Sequence, residues 1–328
     1  MFKHDQYQKY FSEYRDYAFQ NLMGNQYREL GSKVTSSPYY QILYYAKLSL
    51  NNTIKKNRTF LVIPSIFNSP EILFLSKNQS FVDNLRQYGD VFLIDWLEIK
   101  DQDYLVDDYV IRVVEIIANL KQNNLQIDLV GHCFGGIIGM AATIIAPEHI
   151  RTLTLLSTPW DFSHFTAIRT IYQYLNIDQY LQNSPIIPKL HIQILFFLLF
   201  PNHFNEKVQK FFSIADKKQK DLFFRIENWL LSSMSLPKGV YRQIMDNMVM
   251  QNMLANSQWI VNGTAIDPVL INIPVYQIAA HRDEIVPRQS ILSLHRLFKE
   301  STIFEVEGGH ISYLINDKVH SLFKEYAK

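Results

Sequence analysis

The stretch from Ile127 to Ala146 restricts the fold more than any other part of the chain. An apolar run, IDLV, enters G-H-C-F-G-G without a spacer, and the apolar helix formers IIGMAATIIA follow at once. A buried strand that turns this abruptly into a helix needs residues without a Cβ beside the turn. Gly131 and Gly135 stand two residues to either side of Cys133, and Gly136 follows. Such a turn strains the backbone of its central residue and sets that side chain over free helical N–H groups, whose partial positive charge favours an anion. Cys133 is therefore a candidate nucleophile. The competing reading is a small buried hydrophobe at a glycine turn.

The flanking sequence repeats one rhythm. FLVIP after Thr59, a helical stretch near Phe81 to Tyr88, the run Val91 to Trp96, the helix-period segment DDYVIRVVEIIANLKQ, IDLV, and RTLTLLS from Arg151 alternate strand with helix. Continuous apolar strands of this kind belong to a mostly parallel, doubly wound sheet covered on both faces. From 160 to 265 the pattern changes to long helical segments such as IQILFFLLFP and DLFFRIENWLLSSM, with no evident strand. The rhythm then resumes with PVYQIAA, a helix near Ser290 to Lys299, the run Thr302 to Val306, and a last helix after His310. The expected organisation is an N-terminal helical segment over 1–50, an α/β core from 51–159 and 266–328, and a helical cap inserted over 160–265. In the first segment Tyr7, Tyr10, Phe11, Tyr14, Tyr17, Ala18 and Leu22 recur at spacings of three and four. That face packs either on its own chain or on a partner protein.

Composition excludes several classes. The 32 Lys and Arg balance 31 Asp and Glu, so no global field draws the chain to nucleic acid. Hydrophobic residues at 48% against 19% charged are enough for a full core, which argues against disorder. A single cysteine forms no intrachain disulfide, and the charged, aromatic first twenty residues do not read as a secretory signal. No apolar stretch reaches the ~20 residues of a membrane-spanning helix. A cytoplasmic location is expected.

Two further residues complete a catalytic set. Asp283 follows the strand-like PVYQIAA in HRDEIVP, and His310 lies in the glycine-rich EGGHIS after the last short strand. Nucleophile, acid and histidine thus occur in chain order at strand ends. Glu284 competes as the acid, but D-x-I-V-P favours Asp283 turned inward. His132, next to the nucleophile, is expected to point away from the site.

Taken together, IPSIFNSPEILFL, VFLIDW (91–96), DDYV (107–110), GHCFGG, STPWDFS (157–163), LPKGVYRQIMDNMVMQNML, IPVYQIAAHRDEIVP and GGHIS resemble the polyhydroxyalkanoate synthases, which polymerise hydroxyacyl-CoA into storage polyester. The resemblance runs from about Val62 to the last helix. Three positions depart from the family's pattern: LLS follows Trp229, Ser69 follows Asn68, and SYLIN follows G-G-H-I. The resemblance implies an α/β-hydrolase fold with a helical cap, and acyl transfer by Cys133 with His310 as base. Asp283 would either orient His310 or help deprotonate the incoming hydroxyl. It further implies hydroxyacyl-CoA and a growing polyester as ligands, a small accessory subunit or a homodimer as partner, and a place at polymer granules. No metal and no cofactor beyond the CoA substrate is expected.

The chemistry of sulfur suits this reading on its own terms. A cysteine acyl-enzyme formed from acyl-CoA exchanges thioester for thioester, so the acyl group stays activated for the next transfer. The N–H of Phe134 is one expected oxyanion donor, and Phe67 or Ile66, after the first apolar strand, the other. The same residues could serve a cysteine hydrolase, either a thioesterase or an intracellular polyester depolymerase. A catalytically silent granule protein is the remaining class.

Overall fold

The computed structural model describes residues 4–23, 31–48, 58–75, 80–121, 126–174, 184–199 and 203–326. Eight strands form one sheet: β1 (Ser32–Ser36), β2 (Tyr40–Tyr45), β3 (Arg58–Ile63), β4 (Gly89–Trp96), β5 (Ile127–His132), β6 (Ile150–Leu156), β7 (Val275–Ala280) and β8 (Ser301–Val306). Their spatial order is β1-β2-β4-β3-β5-β6-β7-β8. β1 and β2 pair antiparallel with their neighbours, and every other pairing is parallel. The central strands β3 and β5 are buried along their whole length, as expected where helices cover both faces. On one face lie α3 (Val106–Lys121), α4 (Phe134–Ile145) and α10 (Arg288–His295), and on the other α2 (Phe81–Arg86) and α11 (Asp317–Tyr326).

The first fifty residues are not helical throughout. Residues 32–45 form a hairpin that adds β1 and β2 to the sheet edge. The physical reason lies at the turn, where Pro38 cannot continue a helix, and Ser37 and Tyr40 bond each other through backbone and side chain. β2 then buries Tyr40, Ile42, Leu43 and Tyr45 against β4. Helix α1 (His4–Met23) packs on the chain itself: Tyr10 meets Phe211 edge-on at 5.3 Å, and the Tyr7 hydroxyl donates to Asn205 Oδ1 at 2.9 Å. The side chains of Tyr14, Tyr17, Ala18 and Leu22 lie outside the described residues.

Between β6 and β7 the chain builds α5 (Thr166–Tyr174), α6 (Lys189–Leu199), α7 (His203–Ser213), α8 (Lys217–Leu231) and α9 (Lys238–Arg242), the last running on as a π-helix to Met250. Two small antiparallel pairs also occur here, Ile186–Ile187 with Leu236–Pro237 and Ile260–Val261 with Thr264–Ala265. Two-residue strands are too short to leave a period in the sequence.

One buried ion cluster pins the far end of the sheet. Asp128, 1% exposed, accepts from Arg151 through both guanidinium arms and from Thr152 Oγ1 at 2.8 Å, and Arg58 Nε lies 3.3 Å away. The three strands β3, β5 and β6 are thereby joined by side chains as well as by their ladders.

Candidate active site

Cys133 sits between the end of β5 and the start of α4 with φ 53° and ψ −121°, a conformation that costs a non-glycine residue energy. Its N–H donates to the Leu156 carbonyl at 2.8 Å, which fixes the turn to β6. A Cβ on Gly131 would stand 2.4 Å from the Gly136 Cα, and one on Gly135 would stand 2.2 Å from the Ile63 carbonyl oxygen. Backbone lies on both sides of these contacts, so neither can relax by a side-chain rotation. Gly136 faces Thr158, which brings the 157–163 loop against α4.

The acid and histidine loops are tied to each other before they reach the cysteine. His281 N–H donates to the Val306 carbonyl and Arg282 N–H to that of Gly308, both at 2.9 Å. Asp283 Oδ1 accepts the N–H groups of Ile285 and Val286 at 2.9 and 2.8 Å, which leaves Oδ2 to accept from His310 Nδ1 at 2.8 Å. Glu284 is exposed. Burial works against charge on His310, but the Asp283 carboxylate and the Cys133 sulfur, each hydrogen-bonded to it, push its pKa up to about 10. His310 therefore keeps its proton at neutral pH.

Of the proposed oxyanion donors, Phe134 is the first residue of α4, whose N–H has no partner within the helix. The rings of Phe67 and Phe134 meet edge to face at 5.5 Å, and both residues line a cavity with Cys133. The Phe67 N–H donates to Ser65 Oγ at 3.4 Å, a long bond that it would have to give up to serve an oxyanion. Ile66 sends its side chain into the core at 1% exposure.

His132 does not point away from the site. Side chains alternate along β5, so His132 shares the face of Val130, the face covered by Tyr313 and the C-terminal segment. Its ring lies 6.1 Å from that of His310 and 6.0 Å from that of Tyr313. Its Nε2 and the Tyr313 hydroxyl are buried without a hydrogen-bond partner among the described residues. Burial, and then the charge on His310, depress the His132 pKa to about 3. Two neighbouring imidazoles thus hold opposite protonation states at neutral pH.

A pH dependence of stability follows. His132 takes up a proton in the unfolded chain below about pH 6.5 but not in the folded one, so its effect is a loss of stability as pH falls toward 3. His310 acts in the other direction: its contribution is full below about pH 6.5 and disappears as pH rises through 10. In urea unfolding between pH 4 and 7, His132→Phe is expected to be the more stable protein, with a shallower acid limb than the wild type. Equal slopes for the two proteins would show that His132 is not held neutral.

Several contacts at the site went unread in the sequence because their signal is long-range. The Trp229 indole N–H donates to the Ser69 carbonyl at 2.9 Å, and Asn68 Nδ2 donates to the Trp229 carbonyl at 3.1 Å. Met234 N–H donates to the Phe67 carbonyl at 2.8 Å, and Asn68 bridges Ser233. The segment 229–234 therefore holds the loop after β3. Trp229→Phe removes one of these bonds; a loss of about 1 kcal/mol in stability is expected. A several-fold fall in kcat at little changed KM should accompany it, measured on the folded enzyme. Phe196 and Phe197, from the apolar run at 194–200, line a cavity at Cys133.

A family model described as the alpha/beta hydrolase fold matches residues 84–317. The chain belongs to that family. Its sheet order, with Cys133, Asp283 and His310 in chain order past strand ends, agrees with the fold class read from the sequence. Among curated relatives, the poly(3-hydroxyalkanoate) polymerase subunit of Haloferax mediterranei is 25% identical over 79% of this chain and 56% of its own length. That of Haloarcula marismortui is 24% identical over 88% of this chain and 64% of its own length. That of Allochromatium vinosum is 26% identical over 79% of this chain and 76% of its own length. The chain thus spans less than two thirds of the first two relatives. These relatives are members of the family that the motifs resemble. Among solved structures, MenH from S. aureus superposes with a TM-score of 0.55 at 14% identity, covering 89% of this chain and 99% of that one. The enzyme Est816 gives 0.54 at 14% identity, covering 90% and 99%. At these identities the likeness concerns the fold alone.

Proposed function

We propose that the protein is an acyltransferase that polymerises 3-hydroxyacyl-CoA into polyester through a Cys133 thioester. The observation that carries this reading is a cysteine at the strained elbow, hydrogen-bonded to a histidine that Asp283 holds in place, and bordered by mainly apolar cavities. The relatives named above, which are polymerase subunits, support it.

In the reaction, the proton of Cys133 rests on His310 while sulfur attacks the thioester carbonyl. The Phe134 N–H, with that of Phe67 or Ile66, stabilises the oxyanion. Collapse breaks the carbon–sulfur bond to CoA, and the departing thiolate takes the proton from His310. The hydroxyl of a second hydroxyacyl unit then attacks the Cys133 thioester. Its proton passes to His310, an ester bond forms, and the Cys133 sulfur leaves as thiolate. Asp283 holds His310 in the ring orientation that both steps need. Apolar walls favour the hydroxyl of a bound acyl unit over water.

By the same resemblance, a small accessory subunit or a second copy of the chain would complete the working enzyme, at the surface of cytoplasmic polymer granules. No helix among the described residues is long and apolar enough to cross a membrane. The test is to incubate the protein, alone and with a candidate accessory subunit, with 3-hydroxyacyl-CoA, then follow CoA release and analyse the product by mass spectrometry. Oligoester is expected. Free hydroxy acid as the main product would replace this reading with a thioesterase, and no acylation of Cys133 would replace it with a binding protein.

A further inference from the structure

Two cavities meet at Cys133, sharing Phe67, Phe196 and Ile285 as well as the cysteine. The first, of about 350 Å³, holds His132 and His310 and reaches the Lys207–Glu227 ion pair, whose charged atoms lie 2.8 Å apart. The second, of about 300 Å³, runs the other way, beneath the cap. Its walls include Ile168 of α5, Ile192 and Leu195 of α6, and Ile244, Met245 and Val249 of the π-helical turn. Its polar lining consists of the exposed His164, Thr166 and Glu284 and of Tyr241, whose hydroxyl lies 3.1 Å from His191 Nε2, within hydrogen-bonding distance; no Lys or Arg lines it among the described residues. A phosphate-bearing nucleotide would meet a carboxylate and no lysine or arginine there. An uncharged alkyl chain meets mostly apolar walls.

The geometry of a tetrahedral carbon assigns the occupant. One substituent is the Cys133 sulfur. The oxyanion turns to the N–H of Phe134. The leaving thiolate, or the incoming hydroxyl, must lie where His310 can exchange its proton, which is the first cavity. The fourth substituent, the acyl chain, is left with the second. We infer that this second cavity binds the alkyl tail of the acyl unit, and that the enzyme selects medium-chain 3-hydroxyacyl groups over 3-hydroxybutyryl. The inference rests on the proposed acyl transfer. A methyl substituent would leave most of the 300 Å³ unfilled. Each added methylene that leaves water for this space is worth about fourfold in kcat/KM.

The experiment compares 3-hydroxyoctanoyl-CoA with 3-hydroxybutyryl-CoA by CoA release and by the mass of acylated Cys133. A preference of about tenfold or more for the octanoyl substrate is expected, since four methylenes at about fourfold each set a generous ceiling. Met245→Trp fills the cavity and should invert the preference. Ile168→Phe, on a less buried position, should narrow it if the larger change impairs folding. Alkyl methanethiosulfonates of increasing length supply a readout that needs no acyl transfer: wild-type Cys133 should react faster with octyl than with methyl reagent, and the filled variants should not. A butyryl preference in the wild type, with filled variants leaving both ratios unchanged, overturns the assignment. Failure of every acyl-CoA to acylate Cys133, with the reagent series still length-dependent, would overturn the acyl-transfer reading and keep the cavity as an alkyl site.

Discussion

Cys133→Ala is expected to lower CoA release from 3-hydroxyacyl-CoA by about 10⁴-fold or more, because the acyl-enzyme has no atom to form on. Cys133→Ser tests the role of sulfur separately. Its ester intermediate would discard the thioester's activation, so turnover should fall by about 10²-fold or more while acylation of the introduced hydroxyl, seen by intact mass, remains detectable. Asp283→Asn should resemble the alanine variant in size, at about 10⁴-fold, since an amide cannot hold His310 in the tautomer that shuttles the proton. It also removes the main charge that keeps His310 protonated. A Cys133→Ala protein that turned over at the wild-type rate would end the argument for this nucleophile.

Asp128→Ala is expected to destabilise the fold by about 3–5 kcal/mol, the usual effect of removing one member of a buried charge cluster. Arg58, 7% exposed, would lose its carboxylate in the sheet, and Arg151 and Thr152 would lose their shared acceptor. Asp128→Asn keeps an acceptor and should cost less. Because Asp128 lies at the end of β5 away from Cys133, the folded fraction should retain normal acylation. Urea unfolding monitored by fluorescence, paired with intact-mass acylation of Cys133, separates the two effects. A midpoint unchanged in both variants would mean that the cluster contributes nothing to stability.

The parts of the site that were legible in the sequence are those a short segment determines by itself. The turn at Cys133 needs Gly131 and Gly135 because backbone from Gly136 and from Ile63 closes over them, and that need is written into GHCFGG itself. Asp283 and His310 were readable because each lies in the loop just past a strand. What went unread depends on contacts between distant segments. The side of the sheet that His132 faces follows from strand alternation, but its place beside His310 depends on a C-terminal segment that returns across that face. The hairpin at 32–45 was hidden by its neighbour, the aromatic periodicity of α1, although Pro38 already argued for a turn. The bond from Trp229 to Ser69 spans 160 residues, and neither residue type announces it.

That bond and its companions have a consequence for timing. The loop after β3 carries Phe67, and three of its residues are fastened to the segment 229–234 at the end of α8. Any displacement of that segment is handed to the loop through those same bonds, so lifting this part of the roof also moves the loop that carries the proposed second oxyanion donor, Phe67 or Ile66. Under the proposed acyl transfer, exchange of ligands and cleavage of a thioester then belong to different moments of the cycle. An acyl group on Cys133 exposed by an open roof would meet a disarmed catalyst, a kinetic safeguard against water.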